Sequence, residues 1–164
     1  MENKRAQEAA LRAAELRNSI SCSKAELSNL LKEFEPFANT QKRLLRRLST
    51  ELGSAAPYNW ERIARIHDKT EITVEGAGAS AAIRCSGYSY ESYSGDYTYE
   101  DSFIISPHIM NGEPEKLEGE LREEAKEYVR EQIRKELADK ELKIAELRKE
   151  ISDLEKRELG ASYD

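Results

Sequence analysis

The last third of the chain decides the fold, and residues 114–159 read PEKLEGELREEAKEYVREQIRKELADKELKIAELRKEISDLEKREL. Proline is favoured in the first turn of a helix and glycine just after its end, so Pro114 and Gly160 predict one helix between them. The apolar residues first recur every four positions and then, from Leu137 onward, follow a heptad that is typical of a coiled coil. Lys140 is the polar exception in this seam. The apolar seam residues are Leu137, Ile144, Leu147, Ile151 and Leu154.

A second helical segment of similar length opens the chain. Apolar residues recur at three- and four-residue steps over residues 4–34, and a further helix is predicted from Pro36 to the residue before Gly53. Residues 4–52 therefore form a first helical arm that is broken near Pro36. At the rise of an α-helix, this arm and the second arm, residues 113–160, are each about 70 Å long.

The two arms match in length and oppose each other in charge. Residues 1–52 carry ten Lys and Arg against seven Asp and Glu, net +3, whereas residues 113–164 carry twelve against seventeen, net −5. We therefore expect the arms to pair as a long antiparallel coiled-coil hairpin within one elongated unit. The alternative is that each arm pairs with another chain. The two arrangements can also combine, because a hairpin can dimerise through a leftover apolar stripe.

Residues 53–112, between the arms, predict a small β head preceded by a short helix. The helix is expected from Trp60 to Ile66, with Asn59 as its N-cap. Residues 70–106 then alternate between apolar and polar positions, which favours β-strands. The predicted fold class is therefore α+β, with a three-stranded antiparallel β-meander inserted at the tip of the helical hairpin. The three strands are expected at residues 70–75, 79–93 and 96–106.

The register of this meander follows from its two predicted turns. A turn at Ser94-Gly95 joins the second and third strands, and a turn at Ala77-Gly78 joins the first and second. These turns cannot both keep the apolar residues on one face, so a bulge is expected at Gly87. The turns place three pairs opposite each other: Tyr90 and Tyr99, Tyr88 and Asp101, and Ile72 and Ile83. The residues expected on the buried face are Ile72, Val74, Ile83, Phe103 and Ile105.

Tyrosines cluster in the head, which holds five of the eight within residues 88–99. Tyrosine and serine are favoured on surfaces that make adaptable contacts. The carboxylates among them can stand in for phosphates, so the head is expected to bind a basic, nucleic-acid-binding protein surface. The alternative is a structural ladder of aromatic side chains across two strands. The residues predicted to bind the partner are Tyr88, Tyr90, Glu91, Tyr93, Asp96, Tyr97, Tyr99, Glu100 and Asp101.

Charge and motif content argue against several other functions. A net charge of −6 and a pI of about 5.2 are unfavourable for direct nucleic-acid binding. His67, His108, Cys22 and Cys85 are scattered along the chain and lack the spacing of metal ligands. No nucleophile or phosphate-loop motif occurs, so we expect no enzymatic activity, no metal and no cofactor.

The same features favour a cytoplasmic protein. The first residues, Met1–Arg5, are followed by a mixture of Ala, Glu and Arg rather than by the apolar run of a signal peptide. No stretch approaches the roughly 20 apolar residues of a membrane span. Cys22 and Cys85 are expected to be free thiols, as is usual in a reducing cytosol. A basic patch is expected to pair with the Glu-rich last helix and consists of Arg43, Arg46 and Arg47.

The order of helix, β insert and helix resembles the outline of prefoldin-type chaperone subunits. That likeness implies a holdase that grips clients with apolar residues at its arm tips, where this chain has Leu11, Leu16, Leu154 and Leu159. The small, acidic chain without ligand motifs also resembles phage-encoded inhibitors of host defence nucleases. Our first hypothesis is an inhibitor or adaptor that binds through the head. A coiled-coil scaffold and a holdase are the alternatives, and the arms are a route to a homodimer or a higher oligomer.

Overall fold

The computed structural model describes residues 3–18, 24–66, 68–91 and 97–161. These residues form six α-helices and one three-stranded antiparallel sheet, so the predicted α+β class is confirmed. The chain divides into two compact units, Met1–Ala125 and Lys126–Asp164. Within the described ranges, no helix combines the length and apolar character that crossing a membrane requires.

Four helices are followed by the three strands and then by two further helices. The last helix begins at Pro114, as predicted, and continues past Gly160. Short 3₁₀ turns lie at Gly53–Ala55 and Gly78–Ser80. The elements are α1 Asn3–Asn18, α2 Lys24–Lys32, α3 Glu35–Leu52, α4 Tyr58–Ala64, β1 Asp68–Glu75, β2 Ala82–Glu91, β3 Tyr97–Ile104, α5 Pro107–Met110 and α6 Pro114–Ala161.

The first arm consists of three helices rather than two. Pro36 lies in the first turn of α3, as predicted, because its missing N–H falls where a helix has no partner for that group. Gly53 follows α3 with a φ of 56°, a conformation that glycine adopts without steric cost. α1, however, ends at Asn18, and α2 begins at Lys24. Arg5 and Ala9 of α1 line one pocket with Leu30 of α2, so the two helices lie side by side and the prediction of one helix over residues 4–34 is wrong.

The inner face of the sheet packs against α1 and α2. Alanines at positions 10, 13 and 14 let α1 approach the strands closely, and Leu31 of α2 is buried in the same cluster. Cys85 lies at the centre of this core and is fully buried. The predicted buried face is confirmed, since Val74, Ile83, Phe103 and Ile105 are buried and Ile72 packs against them partly buried.

The strands pair in the order β1-β2-β3, which confirms the meander. The predicted register is wrong, because Ile72 lies opposite Cys85 rather than Ile83. The β2–β3 ladder runs without a shift past Gly87, where a bulge was expected. The irregularity lies in β1 instead, between Asp68 and Glu71.

The register of β2 against β3 differs from the prediction by one residue. Tyr88 lies opposite Glu100, and Tyr90 lies opposite Thr98. The last described pair is Glu91 and Tyr97, and the turn predicted at Ser94-Gly95 lies outside the described residues. In this register the five residues predicted on the buried face share one face without a bulge at Gly87.

A second cluster joins α3 to α4, α5 and the first turns of α6. Trp60 of α4 is 2% exposed and lies at its centre. α4 begins at Tyr58, directly after Pro57, so the N-cap predicted at Asn59 is wrong. The buried members of the cluster are Leu44, Leu45, Leu48, Ala56, Trp60, Ala64, Ile109, Leu117, Leu121 and Ala125.

The basic patch on α3 divides its contacts between helices. Arg47 forms an ion pair of 2.6 Å with Glu118 of α6, which confirms one of the predicted pairings. Arg46 donates instead to the carbonyl oxygen of Ala64 at the end of α4. Arg43 donates to a threonine hydroxyl of its own helix. The patch therefore holds the second cluster together at several points.

Two ion pairs define how α3 meets the beginning of α6. Arg47 contacts Glu118, and Glu51 contacts Arg122 at 2.8 Å. Both pairs advance in the same direction along the two helices, as they do between parallel neighbours. The antiparallel hairpin of the arms is therefore not confirmed where α3 packs on α6.

Candidate interaction surfaces

The face of the sheet opposite α1 and α2 is the first candidate surface, and we call it the outer face. Side chains alternate along a strand, so residues between the buried positions of β2 lie on this side. Tyr88 is 40% exposed there and Ile104 is 37% exposed. The described outer face consists of Glu71, Thr73, Glu75, Ala82, Arg84, Ser86, Tyr88, Glu100, Ser102 and Ile104.

The outer face is polar and acidic. Arg84 forms an ion pair with Glu75, in which Nη2 lies 3.0 Å from Oε2, and also donates to the Ser102 hydroxyl at 2.8 Å. The hydrogen bond from Arg84 lowers the pKa of the Glu75 carboxyl. Because Arg84 is engaged within the sheet, the exposed carboxylates of Glu71 and Glu100 dominate the charge presented to solvent.

The structure divides the predicted partner-binding residues into three groups. Tyr88 and Glu100 lie opposite each other and are exposed on the outer face. Asp101 lies on the inner side of β3. The remaining predicted residues, or their side chains, lie outside what the structure describes: Tyr93 and Asp96 entirely, and the side chains of Tyr90, Glu91, Tyr97 and Tyr99.

Asp101 belongs to an ionic cluster that fastens α4 to β3. Its two carboxylate oxygens accept hydrogen bonds from Arg62 at 2.6 and 3.1 Å, and its side chain is only 10% exposed. Arg62 also donates to the Tyr58 hydroxyl at 2.5 Å and lies 5.1 Å from the centre of the Tyr58 ring. Sequence reasoning missed this cluster, although the i, i+4 spacing of Tyr58 and Arg62 on α4 was a visible signal.

The second candidate surface lies on α6 within the unit Lys126–Asp164, and we call it the distal seam. Its apolar side chains are between 48% and 61% exposed, although burial is the usual fate of large aliphatic residues. They follow a heptad, so they line one side of the helix. The members are Ile133, Leu137, Ile144, Leu147, Ile151 and Leu154.

Charged residues form ion pairs along this unit, on the other faces and, through Lys140, at a seam position; Leu142 and Leu159 are exposed outside the seam. Glu127 pairs with Arg130 at 3.1 Å and with Arg134 at 3.3 Å, and Lys140 pairs with Glu136 at 2.6 Å. Such surface pairs contribute little to stability, typically about 0.2–1 kcal/mol each. The distal seam is therefore an apolar stripe on an otherwise largely charged helix, a pattern typical of a helix that packs against another helix.

A groove of 480 Å³ separates α2 from the edge strand β1. Arg17 donates to the carbonyl oxygens of Val74 and Gly76, at 2.8 and 2.9 Å, so it covers part of the strand edge. The lining mixes aliphatic side chains, such as Leu27, Leu31 and Ile72, with hydroxyl and charged side chains. The groove brings together no pair of nucleophile and base among the described residues.

The other reactive side chains have structural surroundings. Burial raises the pKa of the Cys85 thiol, which disfavours the reactive thiolate. His108 contacts Glu120 at 2.9 Å. Within the described ranges, no three His, Cys, Asp or Glu side chains converge as metal ligands, whereas His67 and Cys22 lie outside those ranges.

No protein-family model, no curated protein and no solved structure matches the chain. A functional proposal therefore depends on the two exposed surfaces and on their chemistry.

Proposed function

We propose that the chain is a non-enzymatic protein-interaction module, an inhibitor or adaptor, that binds a basic protein surface through the outer face of its sheet. The observation that carries this proposal is the exposure of Tyr88 beside Glu100 on the sheet face opposite α1 and α2. The natural partner is a nucleic-acid-binding protein of the cytoplasm. A phage-type inhibitor of a defence nuclease is one form of such a module.

Charge supports this choice of partner. The outer face presents the carboxylates of Glu71 and Glu100, and its guanidinium, Arg84, is paired within the sheet. Residues 53–112 carry four basic and eight acidic residues, net −4. An acidic surface attracts a basic protein surface and repels nucleic acid. If that basic surface is the partner's nucleic-acid-binding groove, the outer face and nucleic acid compete for it.

The face also has the geometry of a contact surface. Three strands display their side chains at regular spacing, and the Tyr88 ring supplies a large, rigid contact area at low entropic cost. Ile104 adds an aliphatic patch on the neighbouring strand. A polar face with a few aromatic and aliphatic anchors is typical of protein interfaces.

Capture of partners by the immobilised full chain tests this proposal. We expect a basic, nucleic-acid-binding protein to be captured, to be released by added double-stranded DNA, and to be lost with the double variant Tyr88→Ala, Glu100→Lys. Glu8→Lys makes the same charge change on an exposed position of α1 and should leave capture intact. Equal capture by all three proteins would remove the outer face as the site.

A second candidate function is favoured by the distal seam. In this reading the chain is a structural or scaffold protein, and its seam is completed by a helix of another chain. Ile144→Asp or Leu147→Asp should then abolish assembly, whereas changes on the outer face should not alter it. The exposure of these two side chains, 49% and 48%, supports a missing helical neighbour.

A further inference from the structure

The heptad of the distal seam places one charged residue, Lys140, between its aliphatic members and another, Glu158, just beyond Leu154. With Leu137, Ile144 and Ile151 at position a of the heptad, Lys140 falls at position d and Glu158 at position a. Polar residues in a coiled-coil seam cost stability, and they specify register because each must meet a compatible partner. The two charges therefore restrict which helix completes the seam.

We infer that the seam is completed by a second copy of the same helix, running antiparallel, with Lys140 of one copy opposite Glu158 of the other. This inference rests on the second candidate function, in which the seam is an assembly surface. A symmetric pair requires that the helix be complementary to itself. Between Lys140 and Glu158 its charges and aliphatic residues meet that requirement in one arrangement, centred on Lys149; Leu137 then lies opposite Ala161, and Ile133 lies outside the paired segment.

A parallel, in-register pair is unfavourable at every polar position. Each residue of the seam then meets its own copy, so Lys140 lies opposite Lys140 and Glu158 opposite Glu158. The flanking positions g and e would also bring like charges together in a parallel pair. In that arrangement a g residue contacts the e residue about five positions later on the partner. The flanking pairs would be Glu136 with Glu141, Lys143 with Arg148, and Glu150 with Glu155.

The antiparallel pair centred on Lys149 reverses all of these contacts. Position a lies opposite position d of the partner, so each Lys140 meets a Glu158, and the layers between them are aliphatic. With a stagger of five residues, g residues lie beside g and e residues beside e, and three of these flanking pairs are of opposite charge. The aliphatic layers are Ile144 with Leu154 and Leu147 with Ile151, and the flanking pairs are Glu136 with Arg157, Lys143 with Glu150, and Arg148 with Glu155.

Neighbouring antiparallel registers match the seam less well. A shift of one heptad toward the N-terminus, centred on Leu142, places Lys140 opposite Ile144 and Arg130 opposite Leu154. A register halfway between these two antiparallel arrangements places Lys140 opposite Ile151. Each leaves a charge facing an aliphatic side chain, which is costly in a seam that excludes water. The polar residues therefore select one register.

Charge reversal with rescue tests the inference. In the full chain, Lys140→Glu should raise the dimer dissociation constant about tenfold or more, since two pairs per dimer become repulsive. The double variant Lys140→Glu, Glu158→Lys restores the opposite charges and should restore dimerisation. Sedimentation equilibrium over a dilution series measures both. A weakened single variant that the second change fails to rescue would overturn the register.

Orientation is measured separately with a spin label at the exposed position 138, as Ala138→Cys in a Cys22→Ser background. The two labels should be displaced along the helix axis by about 33 Å in the antiparallel pair and by about 0 Å in a parallel one. A dimer with undisplaced labels would overturn this inference and leave the assembly surface intact. A monomer at all concentrations would overturn both the inference and the second candidate function.

Discussion

Removal of the Asp101 carboxylate should destabilise the unit that contains the sheet. Asp101→Ala deletes two hydrogen bonds of 2.6 and 3.1 Å and leaves Arg62, whose side chain is 27% exposed, without that partner. Hydrogen bonds to charged groups contribute about 1.5–3 kcal/mol, and partial exposure of Arg62 lets water replace some of the loss. We therefore expect the free energy of unfolding to fall by about 1–2 kcal/mol.

Trp60 provides the assay for this change. It is the single tryptophan, is 2% exposed and lies on α4, the helix that Arg62 fastens to β3. Urea unfolding followed by its fluorescence therefore reports on the unit that is perturbed. Glu100→Ala is the matched control, because it removes an exposed carboxylate from the neighbouring position and should change stability by no more than about 0.5 kcal/mol.

Comparison of Asp101→Ala with Glu100→Ala can contradict the stabilising role of the Arg62–Asp101 pair. If Asp101→Ala and Glu100→Ala shift the urea midpoint equally, the Arg62 pair does not stabilise the fold. A double-mutant cycle with Arg62→Ala should show a coupling energy of about 1 kcal/mol, and additivity of the two single changes would contradict the contact.

Three other predictions follow from the core and the outer face. Ile83→Ala empties a fully buried position and should lower the free energy of unfolding by about 2–5 kcal/mol, measured through Trp60. In a Cys22→Ser background, Cys85 should react with a thiol reagent only after unfolding, because it is buried and its thiol pKa is raised by burial. Arg84→Ala should raise the pKa of Glu75 toward its ordinary value in an NMR titration, since the Arg84 hydrogen bond lowers it.

Each of these three predictions has a control variant or a result that would contradict it. Ile104→Ala removes the same side chain from a position that is 37% exposed, and a loss equal to that of Ile83→Ala would contradict the assignment of faces. Rapid modification of native Cys85 would contradict its burial. For Glu75 the folded-state pKa is lowered, so its contribution is present above the unfolded-state pKa and is lost as the pH falls through the folded value. An unchanged pKa would contradict the ion pair.

Local sequence patterns predicted the helices and strands better than they predicted the contacts between them. Pro114 and the heptad gave α6, and alternation gave three strands with the correct buried face. Both kinds of pattern depend on the period of a single segment, which the sequence displays directly. The register of β1 against β2 was wrong by two residues. Because side chains alternate with a period of two, this error left the prediction of the buried face correct.

Contacts between segments were predicted poorly. The register of β2 against β3 was predicted from a turn at Ser94-Gly95, and the observed register differs from it by one residue. Arg62 and Asp101 are 39 positions apart, and no periodicity relates them. Asp101 was therefore interpreted as part of the partner surface, although it is engaged with α4. Pairing of the arms was inferred from equal length and opposite charge, which do not distinguish a parallel from an antiparallel neighbour.

The use of the outer face as a partner surface is the central claim, and photo-cross-linking from position 88 tests it most directly. With photoreactive benzoyl-phenylalanine in place of Tyr88, we predict a cross-link to a basic, nucleic-acid-binding protein that position 8 on α1, labelled in the same way, does not form. The absence of any specific cross-link from position 88, or the same cross-links from both positions, would contradict the claim.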